Sequence, residues 1–244
     1  MKYMGSKSRI AKHIVPIIQN YINENNIEKY VEPFVGGANV IDKVQCKEKY
    51  GFDKNKYLIA LLKRVQSGED LYEEVPKDLY DKARTAFNNG DTSEFEDWEI
   101  GNIVFIASFN GRFFDGGYAG LVNTKAGTVR NYYDEAKRNL IEQIPRLKDV
   151  EFQCCDYKKY TGYEDCLFYL DPPYKGVKQY GSSKGFDYTE FWDWCREMSE
   201  KNIVLISEQN APSDFECIWQ QEVKRTIDNN KRVKAVEKLF EIRE

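Results

Sequence analysis

One segment in the carboxyl-terminal half of the chain restricts its possible folds more than any other. The apolar run CLFYL (166–170) predicts a buried β-strand, and DPPY (171–174) follows it directly. Two consecutive prolines cannot continue a central strand because they donate no backbone hydrogen bond, so the chain must turn at Asp171. In open α/β sheets, ligands bind at the carboxyl ends of the strands. The segment therefore predicts such a sheet with a ligand site after this strand.

The groups at this turn suit the binding of an aromatic amine. Asp171 and the carbonyl of Pro172 are two acceptors for an exocyclic amine, and the ring of Tyr174 can stack on the base that carries it. The lone pair of an aromatic amine is delocalised, so an enzyme that methylates it must free that lone pair for attack. The alternative interpretation without a function is a turn that ends the strand, with a tyrosine on the surface.

A second motif lies near the amino terminus. A short strand predicted at 29–32 runs into PFVGGAN (33–39) and a predicted helical stretch, and a strand at 48–52 ends at Asp53. The turn at Gly36 and Gly37 lets backbone approach a ligand closely, and Asp53 is placed to accept both ribose hydroxyls of an adenosine moiety. The phosphate-binding patterns GxGxxG and the P-loop are absent, and Pro33-Phe34 narrows the turn. These features favour S-adenosyl-L-methionine over NAD or ATP.

These motifs resemble a known family. VEPFVGGANV (31–40) and LDPPY (170–174), in this order, resemble the Dam-like, D12-class DNA adenine N6-methyltransferases, which belong to the α group of amino-methyltransferases. KYMGSKSRI (2–10) and KRTIDNNKRVKAVEKLF (224–240) are similar to the family's amino-terminal motif and carboxyl-terminal hairpin. The resemblance spans essentially the whole chain. It implies an α/β fold: a Rossmann-like, S-adenosylmethionine-dependent methyltransferase sheet with an inserted, mostly helical DNA-recognition subdomain.

The resemblance also implies roles in binding the cofactor. Tyr3 and Lys7 would contact its methionine part, residues 32–37 would wrap it, Asp53 would bind the ribose, and Asp156 would accept from the adenine amine. The implied cofactor-binding residues are Tyr3, Lys7, Glu32, Pro33, Phe34, Gly36, Gly37, Asp53, Asp156 and Asp171, the last of which borders the methionine end.

The implied catalytic residues are those of the DPPY turn. Asp171 and the carbonyl of Pro172 would bind the target amine, and Tyr174 would stack on the flipped adenine. Flipping costs a few kcal/mol, and stacking on an aromatic ring returns roughly 1–3 kcal/mol. No covalent enzyme intermediate is needed, and the chain has no Pro-Cys nucleophile for cytosine C5 chemistry.

The alternation of strands and helices is interrupted between residues 67 and 145. We therefore expect a catalytic domain made of residues 1–66 and 146–244, and an inserted target-recognition subdomain at 67–145. Residues 69–99 carry eleven acidic and three basic side chains, so the rest of the chain has a net charge of +4 although the total is −4. Bases clustered on a mildly acidic protein can still form a face that binds phosphates.

Several polar residues are expected to contact double-stranded DNA. Contacts with base edges, phosphates and the gaps between stacked bases are expected of Asn110, Arg112 and Tyr118. Contacts with phosphates are expected of Lys125 and Arg130. The full set expected to contact DNA is Asn110, Arg112, Tyr118, Lys125, Arg130, Lys224 and Arg232. The family's usual target is GATC, and we expect the same target here. The segment RFFDGG (112–117) nevertheless differs in composition from the recognition hairpin of the best-known family members.

Composition argues against several other classes of site. The six cysteines show no CxxC spacing and His13 is the single histidine, so we expect reduced thiols, no metal and no Ser-His-Asp chemistry. No apolar stretch is long enough to span a membrane and the amino terminus is polar, so we expect a cytoplasmic protein without membrane contact. We also expect a monomer that is either an orphan methylase or the partner of a cognate restriction endonuclease acting separately.

Other functions share parts of this pattern. Methylation of cytosine N4 or of RNA adenine would use the same acceptor geometry. The enzymes that methylate protein glutamine usually have Asn at the position of Asp171. A catalytically silent DNA-binding or cofactor-binding module would be expected to show damage to one of the motifs, and none is visible.

Overall fold

The computed structural model describes residues 1–123, 127–174, 185–228 and 231–243, and the side chains of residues 224–234 are outside this description. The chain divides into two compact units, each made of three segments. The first unit consists of Met1–Ala11, Val35–Lys43 and Asn55–Cys154. The second consists of Lys12–Phe34, Val44–Lys54 and Cys155–Glu244.

The regular elements follow one another along the chain. The helices are α1 Ala11–Glu24, α2 Lys56–Gln66, α3 Lys77–Asn88, α4 Asp97–Ile106, α5 Tyr132–Ile141 and α6 Tyr188–Ser199. The strands are β1 Lys29–Glu32, β2 Glu48–Asp53, β3 Leu121–Asn123, β4 Val129–Asn131, β5 Val150–Cys154, β6 Cys166–Leu170, β7 Ile203–Glu208, β8 Phe215–Asp228 and β9 Lys231–Ile242.

The strands of the second unit form a mostly parallel sheet in the order β2-β1-β6-β7-β9-β8. β2, β1, β6 and β7 run parallel, whereas β9 is antiparallel to both of its neighbours. From β1 the chain moves outward to β2, and from β6 it moves outward in the opposite direction to β7. The strand order therefore reverses between β1 and β6, and ligands of open α/β sheets bind at such a point.

The core of the second unit explains the sequence pattern of β6. All five of its residues are buried, as expected for a strand covered on both faces. Asp187 caps the amino-terminal end of helix α6, and its carboxylate accepts from two backbone amides of the first turn. The helix then places Phe191, Trp194, Cys195 and Met198 in the core at helical spacing.

In the first unit, α2 and α4 pack at very close range. Residues 100–106 of α4 are all buried. A Cβ atom on Gly101 would lie 2.2 Å from the carbonyl oxygen of Tyr57 and 3.0 Å from the Cβ of Leu61, both on α2. Only glycine fits at this crossing, so the spacing of the two helices depends on one residue.

The α/β class predicted from the sequence is confirmed, and β8 and β9 form the predicted hairpin of the tail. The helical stretch predicted after the glycine loop is wrong, because residues 39–43 form turns. Here Ile41 is fully buried, and the carboxylate of Asp42 is bound by Arg146. These tertiary contacts fix the backbone in place of a helical repeat.

The predicted recognition block at 67–145 lies inside the first unit, together with Met1–Ala11 and the glycine loop. Its described residues include α3, α4 and α5 and the antiparallel pair of β3 and β4. Its role in target recognition stays a prediction.

Tyr133 makes the stability of the first unit sensitive to alkaline pH. Its hydroxyl donates to the carbonyl of Tyr72 at 2.7 Å and to Oδ1 of Asn102 at 3.2 Å. Burial raises the pKa of Tyr133 from 10.0 to about 12. In this window the unfolded chain loses the proton while the folded protein keeps it. The contribution is fully present below pH 10, and the free energy of unfolding falls as pH rises toward 12.

Tyr133→Phe is therefore expected to make the fall in unfolding free energy above pH 10 less steep than in the parent protein. Urea unfolding at a series of alkaline pH values measures this. Tyr132→Phe, one residue away, is the matched control for removal of a neighbouring phenol. An equal slope in Tyr133→Phe and the parent would mean that Tyr133 does not contribute to the alkaline loss.

Candidate active site

Three carboxylates of the second unit stand at the carboxyl ends of adjacent strands. Glu32 is the last residue of β1, Asp53 is the last of β2, and Asp171 follows the last residue of β6. The register pairs Glu32 with Gly51 on one side, while Val31 pairs with Phe168 on the other. The strand order therefore places all three carboxylates at the edge of the sheet where a ligand is expected.

Glu32 is the most deeply placed of these acids, with 3% of the residue exposed. The hydroxyl of Tyr30 donates to its Oε1 at 2.6 Å. Burial, followed by the charge of Glu32, raises the pKa of Tyr30 well above its ordinary value. The phenol therefore stays protonated and fixes the carboxylate at the end of β1.

Asp156 is held near the end of β2. The backbone amide of Cys155 donates to the carbonyl of Asp53 at 3.1 Å, which ties the two segments together. The Asp156 carboxylate accepts from the amide of Lys158 at 3.2 Å and lies 3.5 Å from Nζ of Lys54. The two acids expected to bind the adenosine part of the cofactor thus come from neighbouring backbone positions.

The DPPY turn leaves the sheet directly after β6. Pro172 and Tyr174 are buried, and the hydroxyl of Tyr188 donates to the carbonyl of Pro173 at 2.8 Å. That hydrogen bond uses the carbonyl of Pro173, whereas the predicted acceptor for the target amine is that of Pro172.

The hydroxyl of Tyr174 is hydrogen-bonded within the second unit. The hydroxyl donates to Oε2 of Glu237 at 2.8 Å and lies 3.3 Å from Oγ of Ser207. Burial, then the charges of Asp171 and Glu237, raise the pKa of Tyr174 well above its ordinary value. Sequence reasoning found Tyr174 but missed Ser207 and Glu237, because their proximity depends on the pairing of β7 with β9.

Phe34, after β1, lies in a group of aromatic rings. Its ring centroid is 5.3 Å from that of Tyr157 and 6.0 Å from those of Phe186 and Phe191. Pro33 beside it is buried. The predicted narrow turn is thus anchored in the core of the second unit, and its contact with a cofactor stays a prediction.

In the first unit, the amino-terminal segment packs on the glycine loop. A Cβ atom on Gly36 would lie 3.0 Å from Cε1 of Tyr3, and one on Gly37 would lie 2.8 Å from Cβ of Tyr3. Gly36 also has a φ of +49°. The absence of side chains at the two glycines therefore leaves room for Tyr3. From the sequence, the glycines were expected to leave room for a ligand, and this packing of Tyr3 was not predicted.

Lys7 lies in the short helix Lys7–Arg9 and is buried, with 8% of the residue exposed. The Tyr3 ring packs 5.7 Å from that of Phe105. The structure thus brings Tyr3 and the two glycines together. Contact of Tyr3 or Lys7 with a cofactor stays a prediction.

The residues expected to contact DNA have differing environments. Asn110 and Arg112 are exposed, and Asn110 has a left-handed φ of 56°. The hydroxyl of Tyr118 donates to the carbonyl of Val75 at 2.7 Å, so this side chain is already bound within the first unit.

Arg130 is exposed and donates from Nε to Glu135 at 2.7 Å. Lys125 lies outside the described residues. Lys224 and Arg232 lie on β8 and β9, and their side chains are not described. Contact of all these residues with DNA stays a prediction.

Within residues 1–123, 127–174, 185–228 and 231–243, no group of three or more His, Cys, Asp and Glu side chains is arranged to hold a metal ion. The same ranges contain no helix with the length and apolar character needed to cross a membrane.

A family model decides the assignment of the chain. The model of the D12 class N6 adenine-specific DNA methyltransferases matches residues 3–216. The chain belongs to this family. The resemblance carried by the glycine loop and the DPPY turn is thereby confirmed.

Individual relatives are similar over most of the chain. The type II methyltransferase M.MjaIII of Methanocaldococcus jannaschii is 28% identical over 248 residues, covering 88% of this chain and 85% of the relative. The type II methyltransferase M.FokI of Planomicrobium okeanokoites is 24% identical over 231 residues, covering 86% of this chain but only 34% of the relative.

Among solved structures, SMU.472 complexed with SAH covers 97% of this chain at 11% identity and a TM-score of 0.36. The chain spans about half the length of that structure, 52%. A TM-score this low supports no conclusion about the site.

The methyl donor of the D12 family is S-adenosyl-L-methionine, and the acceptors of the second unit suit it. Glu32, Asp53 and Asp171 are carboxylates, which accept hydrogen bonds and attract positive charge. The cofactor offers ribose hydroxyls, an ammonium group and a positively charged sulfur, and it carries no phosphate. The chemistry of these side chains therefore fits this cofactor better than a nucleotide with a phosphate chain.

Proposed function

We propose that this protein is a site-specific DNA adenine-N6 methyltransferase that flips its target adenine out of the duplex and methylates it from S-adenosyl-L-methionine. The observation that carries the proposal is the placement of Glu32 and Asp171 at the carboxyl ends of the adjacent strands β1 and β6. Glu32 suits the methyl donor and Asp171 suits the amine, and both lie where the strand order reverses.

The proposed mechanism assigns each group of the DPPY turn a separate task. Asp171 and the carbonyl of Pro172 accept the two hydrogens of the target amine, which localises the nitrogen lone pair and aligns it. The Tyr174 ring stacks on the flipped base and offsets part of the cost of unpairing it. When bound, S-adenosyl-L-methionine would supply an electrophilic methyl group. The amine nitrogen would bond to that methyl as the sulfur–methyl bond breaks, which would leave S-adenosylhomocysteine, and the amine would release one proton to solvent.

Sequence readout is assigned to the first unit. Asn110 and Arg112 are exposed and polar, as residues that contact base edges or phosphates must be. We propose GATC as the target. The relatives are type II methyltransferases, which supports a separate cognate restriction endonuclease. We further propose that the protein acts as a monomer in the cytoplasm.

Methylation-sensitive sequencing of DNA from cells that express the chain tests this function. Adenine methylation at one short motif, lost when Asp171→Ala is expressed, is the expected result. Methylated cytosine instead would assign the site to cytosine N4. Unmodified DNA from cells expressing the parent chain would contradict DNA methylation and favour RNA, protein or a silent module.

Asp53→Ala is expected to weaken binding of the cofactor by roughly 10- to 150-fold, because a charge-assisted hydrogen bond to the ribose contributes about 1.5–3 kcal/mol. Titration calorimetry with S-adenosyl-L-methionine measures the change in Kd. Glu48→Ala is the matched control, since Glu48 is the first residue of the same strand and lies at its opposite end. Equal affinity of Asp53→Ala and the parent would contradict the ribose assignment.

A further inference from the structure

We propose that Glu237 is a positioning residue for methyl transfer, which fixes the ring of Tyr174 by accepting a hydrogen bond from its hydroxyl. The inference rests on the proposed function, in which Tyr174 stacks on the target base. It adds a residue from β9, outside the DPPY turn, to the groups on which the reaction depends.

The geometry brings together residues from three elements of the second unit. Tyr174 follows β6, Ser207 lies on β7 and Glu237 lies on β9. The Tyr174 hydroxyl is 2.8 Å from Oε2 of Glu237 and 3.3 Å from Oγ of Ser207. The shorter contact is to the carboxylate, so Glu237 is the stronger partner of the phenol.

The burial of Tyr174, Ser207 and Glu237 indicates that the carboxylate of Glu237 has a specific role. Tyr174, Ser207 and Glu237 are 9%, 0% and 6% exposed. Placing a carboxylate in such a position costs more than placing an amide or an apolar side chain of similar size. A negatively charged acceptor gains most where it binds a donor strongly and in one direction, as it does with the phenol of Tyr174.

The protonation state supports this direction of the hydrogen bond. Burial and the carboxylates of Asp171 and Glu237 raise the pKa of Tyr174 well above its ordinary value. The phenol therefore keeps its proton at neutral pH and acts as the donor.

The position of Glu237 is set by the sheet. β9 pairs antiparallel with β7, with Ser207 opposite Leu239 and Glu208 opposite Lys238. On its other side, Glu237 pairs with Gln221 of β8. Glu237 thus lies one residue beyond the end of the β7 ladder and is paired on its β8 side, and a side chain on such a strand holds a functional group more accurately than one on a loop. The hydrogen bond therefore fixes where the Tyr174 ring lies before any base arrives.

A double-mutant cycle tests the inference. Glu237→Ala and Tyr174→Phe are each expected to slow single-turnover transfer of labelled methyl groups to unmethylated DNA by roughly 10- to 100-fold, because a misplacement of about 1 Å can cost on the order of 100-fold. Tyr174→Phe keeps the ring but loses the hydroxyl. The double variant should be no more than about threefold slower than the slower single variant, since both changes remove one interaction.

The conservative variant Glu237→Gln adds a measurement that would not change if Glu237 only stabilised the fold. Glu237→Gln keeps an acceptor oxygen, so it should transfer methyl groups about tenfold faster than Glu237→Ala, in keeping with the weaker bond to a neutral acceptor. This advantage should disappear when Tyr174 is replaced by Phe. If Glu237→Ala does not fold, the same cycle is measured with Glu237→Gln.

The chain supplies a matched control on the same strand. The hydroxyl of Tyr21 donates to Oε2 of Glu241 on β9 at 2.6 Å, which repeats the phenol–carboxylate pair away from the DPPY turn. Tyr21→Phe and Glu241→Gln should leave the transfer rate within about twofold of the parent.

Two failures can be told apart. A parent protein that transfers no methyl group to DNA would remove the proposed function and this inference with it. A parent that is active, with losses from Glu237→Ala and Tyr174→Phe that multiply in the double variant, would overturn the inference alone. Multiplied losses would mean that Glu237 acts independently of the phenol.

Discussion

Asp171→Ala is expected to slow methyl transfer to DNA by on the order of 100- to 1000-fold, the cost of removing one preorganised group that contacts the reacting atoms. Asp171 follows β6 at the point where the strand order reverses, and it is one of two acceptors proposed for the target amine. Without it the lone pair stays delocalised into the ring. Single-turnover rates with saturating DNA and cofactor measure the loss.

The substitution Asp171→Asn separates the contribution of the negative charge from that of the acceptor oxygen. It keeps one oxygen that can accept from the amine, so its rate should fall between those of Asp171→Ala and the parent. Glu164→Ala is the matched control, because this exposed carboxylate precedes the opposite end of β6 and pairs with Lys201. A rate for Asp171→Ala within about tenfold of the parent would contradict the acceptor role, since loss of such a group should cost at least about 100-fold.

Gly101→Ala is expected to lower the free energy of unfolding by about 3 kcal/mol, at the upper end for overpacking a tight interior site. The new Cβ would lie 2.2 Å from the carbonyl oxygen of Tyr57, which belongs to the backbone of α2 and cannot rotate away. Alanine is favoured over glycine in a helix by about 1 kcal/mol, so the clash must exceed this gain. Thermal melting should show a drop of roughly 6–12 °C.

Gly162→Ala is the control for this prediction. A Cβ on Gly162 would meet no atom within 4 Å, and its backbone is not left-handed. Its melting temperature should stay within about 2 °C of the parent. If Gly101→Ala instead raised the melting temperature, the helix propensity of alanine would outweigh the contact, and the close crossing of α2 and α4 would be wrong.

Local patterns were sufficient to predict the elements that carry the motifs. The run before Asp171 is apolar at every position, and β6 is buried at every position. Residues 48–52 were predicted as a strand ending at Asp53, and β2 ends there. Both predictions depend on side chains within one strand and on the turn that follows, which is information that a short stretch of sequence contains.

What the sequence could not reveal depends on pairing between distant residues. Glu237 reaches Tyr174 only because β9 lies beside β7, and no spacing along the chain indicates that neighbour. The residues after the glycine loop were predicted to be helical, but the contact of Asp42 with Arg146, 104 positions away, holds them as turns. In both places tertiary contacts decide what local propensity leaves open.

The strand order of the second unit also bears on how the protein is made. Among the strands of this sheet, β9 is synthesised after all the others, yet it lies between β7 and β8. Until residues 231–242 have been synthesised, the described part of β7 has no partner on that side, and β8 has no place in the sheet. Exposed strand edges pair readily with other chains. The edge of β7 is therefore open to such pairing until β9 emerges, and its closure coincides with the arrival of Glu237.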